Sequence, residues 1–77
     1  MDFQRLEADI GKQVIDTLGE PQGLCNVQVR RLWEDCYRVN VLVGPDSLSA
    51  EVVHSYFLVV DNQGDIVTAT PRITKRY

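Results

Sequence analysis

The sequence is poor in the residues on which most protein chemistry depends. Its 77 residues include one histidine, two cysteines and one tryptophan. No apolar run approaches the ~20 residues that a membrane-spanning helix requires, and the first residues do not follow the pattern of a secretory signal. These absences predict a cytoplasmic protein.

The few candidate ligands and nucleophiles are too scattered to predict a reactive site. A zinc site needs several converging ligands, and no CxxC, HxxxH or HxH spacing accompanies His54. Ser55 follows His54 directly, and neighbouring strand residues point to opposite faces, so the two do not form a catalytic pair. The segment 61–65 lacks the ligand pattern of a calcium loop. We therefore predict no catalytic residue, no metal and no cofactor.

The two cysteines, Cys25 and Cys36, fall at opposite ends of the first predicted hairpin. The strand between them extends over roughly 26 Å at the usual rise per residue. A disulfide needs Cα atoms within about 7 Å, so no bridge forms inside one chain. We expect free thiols, with Cys25 a small core residue and Cys36 exposed in a turn.

The net charge of −3 is concentrated at the start of the chain, since residues 1–20 carry −3 and the remainder sums to zero. An acidic total does not favour nucleic-acid binding. The exception is a basic tail over residues 72–77, which contains Arg72, Lys75 and Arg76. We interpret the charges of this tail as solubilising a frayed end; the alternative is that Ile73 and Tyr77 pack as a short extension.

An apolar stripe at helical spacing predicts a helix over about residues 3–18. The stripe consists of Phe3, Leu6, Ile10, Val14 and Leu18. Asp2 stands where a side chain caps a helix, Gly19 suits the left-handed terminal position, and Pro21 prevents continuation.

After Gly23 the apolar residues alternate, which is typical of strands. Strands are predicted at about 24–33, 37–43, 52–60 and 66–70. Residues 44–51 read as a loop with at most one helical turn.

Two tight turns define the predicted pairing of these strands. Glu34-Asp35-Cys36 is expected to form a three-residue loop, because this loop sets Val29 opposite Val41. Asn62-Gln63-Gly64 is expected to connect the last two strands.

The order of elements predicts a single α+β domain over residues 1–77. No crossover connection is present, so one N-terminal helix should pack on a four-stranded antiparallel meander sheet, in the order α-β-β-β-β.

The strand at 52–60 is apolar on nearly every residue, which indicates that both of its faces are covered. We assign Phe57 and Val59, together with Val67 and Ala69, to the core under the helix. The opposite face should then be exposed and available to a partner. The residues predicted to bind there are Tyr56, Leu58, Val60, Ile66, Arg38, Arg30 and His54.

The helix that ends in glycine, the strand pair and the segment Val60-Asp61-Asn62-Gln63-Gly64-Asp65-Ile66 together resemble small cystatin-like domains of the PepSY type. The resemblance covers most of the chain. It implies the same fold and a module that binds or restrains a partner. Such modules are typically exported or membrane-associated, whereas this chain begins without a recognisable export signal.

These observations favour a non-enzymatic interaction module that binds a protein partner or itself, as a homodimer. Tyr and Arg on one face are typical of interfaces. The alternative is a small-ligand-binding domain with a pocket between helix and sheet, lined by Trp33, Tyr37 and Phe57. Nucleic acid and membrane are not expected partners.

Overall fold

The computed structural model describes the backbone of residues 3–77 and the side chains of residues 5–77. Its elements are helix α1 (Phe3–Leu18) and strands β1 (Leu24–Trp33), β2 (Cys36–Val43), β3 (Glu51–Val60) and β4 (Ile66–Thr70). The strands form one antiparallel sheet in the order β1-β2-β3-β4. This arrangement confirms the predicted α+β fold, and the boundaries lie within one residue of those predicted.

Helix α1 covers one face of the sheet with its apolar stripe. Three residues of the stripe are fully buried: Ile10, Val14 and Leu18. At Gly11, α1 packs on β1: an added Cβ would lie 3.4 Å from the side chains of both Val27 and Val29, at van der Waals distance. The predicted cap Asp2 and the Phe3 side chain lie outside the described residues.

The segment after β4 binds the end of α1. Gly19 ends the helix with a φ of 90°, and its N–H donates to Ile15 O at 2.8 Å. The N–H groups of Arg76 and Tyr77 donate to Leu18 O at 2.8 and 3.2 Å. The tail is therefore not frayed but packed, as in the alternative prediction, because it supplies donors to a helix carbonyl that lacks a partner within the helix.

Apolar and aromatic contacts hold the same segment. Ile73 packs against the core. The Tyr77 hydroxyl lies 2.9 Å from His54 Nε2, and the two rings meet edge to face with centroids 5.7 Å apart. The segment after β4 thus closes the side of the domain that the helix leaves open beside β3.

The turn between β1 and β2 is shorter than predicted. Trp33 pairs with Cys36, so only Glu34 and Asp35 lie between the strands. Glu34 adopts a φ of 40°, in the left-handed region that a tight hairpin turn uses. The predicted three-residue loop is wrong.

A β-bulge restores the pairing that a two-residue turn alone would shift. The register changes between Arg31 and Trp33, which leaves Leu32 as an extra residue in β1. As a result Val29 pairs with Val39, not with Val41 as predicted. One inserted residue returns the apolar positions of both strands to the same face.

The two faces of β3 are opposite to the predicted assignment. Tyr37 pairs with Leu58, and Val39 pairs with Tyr56. Residues directly opposite each other share a face, so these β3 residues lie with the buried positions of β2. Tyr56, Leu58 and Val60 are only 4, 0 and 4% exposed. The prediction that they form an exposed face is wrong.

A bulge in β4 also changes the predicted pairing of β3 with β4. Val60 pairs with Ile66, as the predicted turn required, but Val59 pairs with Thr68. Val67 is therefore an extra residue and is 61% exposed. Beyond it, Ala69 lies opposite Leu58, so the expected grouping of Val67 and Ala69 with Phe57 and Val59 does not form.

The turn between β3 and β4 is bound directly to α1. Gln13 Nε2 donates to Gly64 O at 2.7 Å, and Gln13 Oε1 accepts from Ile66 N at 3.0 Å. Gly64 has a φ of 84°, and an added Cβ would lie 2.7 Å from Leu6 Cδ1. The conformation therefore favours glycine there, whereas the contact falls on the far end of the Leu6 side chain, which can move aside.

The connection 44–50 is a turn without a helix, as expected. Asp46 Oδ1 accepts from the N–H groups of Leu48 and Ser49 at 2.9 Å each. Within the described residues, no helix is both long and apolar enough to cross a membrane.

Candidate interaction face

The face of the sheet that α1 does not cover, called here the open face, consists of four rows of paired residues. The row next to the 44–50 connection contains Asn26, Leu42 and Val52. The cationic row contains Arg30, Arg38, Phe57 and Thr70. The apolar row contains Trp33, Cys36, Val59 and Thr68. The polar row contains Gln28, Asn40 and Ser55. Successive rows lie about 7 Å apart, the distance between alternate residues of a strand.

The apolar row contains the most exposed aromatic side chain of the face. Trp33 is 57% exposed, and its ring lies 5.8 Å from that of Phe57, centroid to centroid, with an interplanar angle of 42°. Tilted pairs at this separation are favourable and hold both rings in place. The open face thus presents an ordered aromatic surface.

The polar row is connected internally by hydrogen bonds. Ser55 Oγ donates to Asn40 Oδ1 at 2.7 Å, and Arg38 Nη1 donates to Ser55 Oγ at 3.4 Å. These contacts hold the Ser55 hydroxyl of β3 between Asn40 and Arg38 of β2. The guanidinium of Arg38 keeps most of its donors available, because a guanidinium has five N–H groups and this contact uses one.

Of the residues predicted to bind a partner, the structure brings only Arg30 and Arg38 to the open face. The others lie on the helix side of the sheet. Tyr56, Leu58 and Val60 are buried there, and His54 and Ile66 are half-buried. The five therefore offer little or no surface to a partner.

Trp33, Phe57 and Val59 lie on the open face although the sequence did not lead us to predict them there. A signal was available: the apolar positions of β2 fix which face is buried, and the pairing of β2 with β3 decides which β3 residues join them. That pairing depends on the long connection 44–50, whose geometry the residues alone do not specify.

A cavity of about 340 Å³ lies between α1, the β1–β2 turn and the β3–β4 turn. Leu6, Tyr37 and Val60 contribute its apolar wall, and Arg31 and Asp61 lie at polar positions of the lining. Of the three residues predicted to line such a pocket, Tyr37 does so. Trp33 and Phe57 do not, because they lie on the other side of the sheet.

Both cysteines are free and half-buried. Cys25 falls where the register of β1 shifts between Leu24 and Asn26, so the bulge removes it from the core position that was predicted. Cys36 is the first residue of β2, not a turn residue, and lies in the apolar row between Trp33 and Val59.

Three titratable residues, His54, Tyr56 and Tyr77, form a small cluster on the helix side of the sheet. The rings of His54 and Tyr56 stack with centroids 6.1 Å apart. Burial raises the pKa of Tyr56; the Arg76 guanidinium opposes this shift and Tyr77 adds to it. Among the side chains of residues 5–77, no three His, Cys, Asp or Glu residues are grouped so that they could hold a metal ion.

Comparison with family models, curated proteins and solved structures finds no match to this chain. The geometry of the open face and of the cavity is therefore what bears on function.

Proposed function

We propose that this chain is a non-enzymatic interaction module that binds a protein partner through the open face. The observation that carries the proposal is the exposed aromatic pair of Trp33 and Phe57 beside two arginines. Trp and Arg are enriched among residues that dominate binding energy. Nothing in the described part of the chain covers the open face.

The edges of the sheet are less suited to binding than its face. β1 carries bulges near both of its ends, and β4 has five residues and is followed by Pro71. Bulges, short strands and proline are the features by which proteins prevent strand addition at an edge. A partner that used an edge would find few regular backbone groups to pair with.

Photo-crosslinking tests which surface binds. A benzophenone amino acid in place of Trp33 should form adducts with another protein chain in cells, and the same amino acid at Asp9 on the outer face of α1 should not. Equal adducts from both positions, or none from position 33, would contradict the proposal. Both variants are first checked for a native circular-dichroism spectrum.

Sedimentation velocity tests the homodimer that the sequence predicts. If the partner is a second copy, the wild-type chain sediments as a dimer at tens of micromolar and Trp33→Asp lowers the apparent mass. A monomeric wild type excludes self-association as the form of binding under these conditions and leaves adducts with a different chain as the expected result.

The second candidate function is binding of a small ligand in the cavity beside Leu6 and Tyr37. Its volume of about 340 Å³ lies at the lower end of the ~300–1,000 Å³ range of ligand pockets. A metabolite screen by thermal shift tests this function, because a ligand that binds the native state raises Tm. NMR shifts at Leu6 and Asn62 without a shift of the Trp33 indole would locate the ligand in the cavity.

A further inference from the structure

The charges of this chain are segregated between the two sides of the sheet. The open face carries Arg30 and Arg38, and none of the residues in its four rows is Asp or Glu. The acids described lie on α1, in the turns, in the 44–50 connection and at the start of β3. A chain of net charge −3 thus has one face with positive charges only.

The two arginines lie directly opposite each other on β1 and β2. Like charges at directly opposed positions of neighbouring strands destabilise a sheet. Within the described residues, Arg30 makes no hydrogen bond or ion pair, and Arg38 donates one hydrogen bond, to the neutral hydroxyl of Ser55. An anion on the open face would relieve this repulsion.

Apolar surface lies next to the two charges. Phe57 pairs with Arg38, and the Trp33 ring adjoins Phe57. A ligand that reached both arginines would therefore contact the aromatic pair in the same step. The surface is complementary to a segment with negative charge and an apolar side chain close together.

We infer that the partner contacts the open face with an acidic, apolar protein segment; this inference rests on the proposed function. Carboxylates of the segment pair with Arg30 and Arg38, where a guanidinium can bind both oxygens of one carboxylate. A leucine-like or aromatic side chain of the segment packs on Trp33 and Phe57.

Two other occupants fit less well. Two copies stacked face to face would enclose four arginines between them, with no carboxylate from the rows of either open face. A nucleic acid needs many phosphate contacts for affinity. The open face offers two arginines, and the turn acids Glu34 and Asp35 adjoin the Trp33 end of the apolar row.

Two synthetic peptides test the inference. The first has two leucines between pairs of glutamates, and the second has glutamines in place of the glutamates. Trp33 is the single tryptophan of the chain, so its fluorescence reports binding to the open face. We expect the glutamate peptide to bind about tenfold more tightly in low salt, since charge-assisted hydrogen bonds are the stronger ones. The preference should disappear at high salt.

Matched variants show which cations are used. The double variant Arg30→Gln, Arg38→Gln should lose the preference for glutamate, whereas Arg72→Gln, which removes an exposed charge from the tail, should keep it. Circular dichroism verifies that each variant folds.

Four outcomes overturn the inference: equal binding of both peptides, no binding of either, a preference that survives in the double variant, or tighter binding of oligothymidine than of the glutamate peptide. A homodimer formed through Trp33 whose affinity does not depend on Arg30 and Arg38 would also overturn it. That last result would leave the proposed interaction module intact, so the two proposals fail separately.

Discussion

The side-chain amide of Gln13 lies 2.7 Å from the carbonyl oxygen of Gly64, 51 residues further along the chain. Its oxygen accepts a second hydrogen bond from the N–H of Ile66. The amide thus satisfies a donor and an acceptor of the β3–β4 turn at once and ties that turn to the middle of α1.

Replacing Gln13 by alanine should lower the free energy of unfolding by about 1–3 kcal/mol, because two part-buried backbone groups lose their partner. Urea denaturation measures the change. Lys12→Ala is the control on the same helix, since it removes only the exposed pair with Asp16, worth roughly 0.3–0.5 kcal/mol. Equal losses in both variants would mean that the amide contributes no more than a surface contact.

Neighbouring residues of β3 should respond differently to truncation. Leu58 is fully buried, so Leu58→Ala should cost about 2–5 kcal/mol of stability. Val59→Ala removes a half-buried side chain from the open face and should cost about 1 kcal/mol or less. Denaturation midpoints of the two variants measure this contrast. The reverse order would restore the predicted face assignment, with Val59 in the core.

Stability should fall at alkaline pH partly because of Tyr56. Its pKa is raised in the folded protein, mainly by burial, above the value of 10.0 for an exposed tyrosine. The unfolded chain therefore loses this proton first as pH rises. The stabilisation that comes from the protonated Tyr56 is complete below pH 10.0 and is lost as pH rises through the folded pKa. We expect denaturation between neutral and strongly alkaline pH to show that wild type loses more stability than Tyr56→Phe as pH rises. A difference independent of pH would contradict the raised pKa.

The tail should contribute to stability through Ile73. Ile73 is half-buried and packs on the core, whereas Thr74 is exposed. Ile73→Ala should lower the free energy of unfolding by about 1–2 kcal/mol, and Thr74→Ala should leave it nearly unchanged. Thermal unfolding of the two variants distinguishes a docked tail from a frayed one, for which neither substitution would matter.

Periodicity was sufficient to predict the elements of this fold. The stripe that includes Ile10, Val14 and Leu18 specifies one buried helix face, and alternation from Tyr37 to Val41 specifies the buried face of β2. Gly19 and the short turns then leave an antiparallel meander as the simplest arrangement. Each of these signals is local, so the residues themselves carry it.

The candidate site could not be predicted in the same way, because it depends on which face of β3 is buried. Each bulge reverses the relation between residue number and face, and bulges lie at Cys25 and Leu32 in β1, at Val53 in β3 and at Val67 in β4. β3 is apolar on both sides, so its own sequence does not reveal an error. Arg30 and Arg38 were placed correctly because both strands that carry them have a polar face.

The contact between Leu18 and residues 76 and 77 also bears on when the fold is completed. Helix α1 has 16 residues, and a helix of this length is only marginally stable on its own in water. During synthesis it emerges before the sheet that buries its stripe, and the donors to Leu18 O follow β4. We therefore expect α1 to become stable only when the sheet and the segment after β4 are in place, so that the first element and residues 76 and 77 are fixed together.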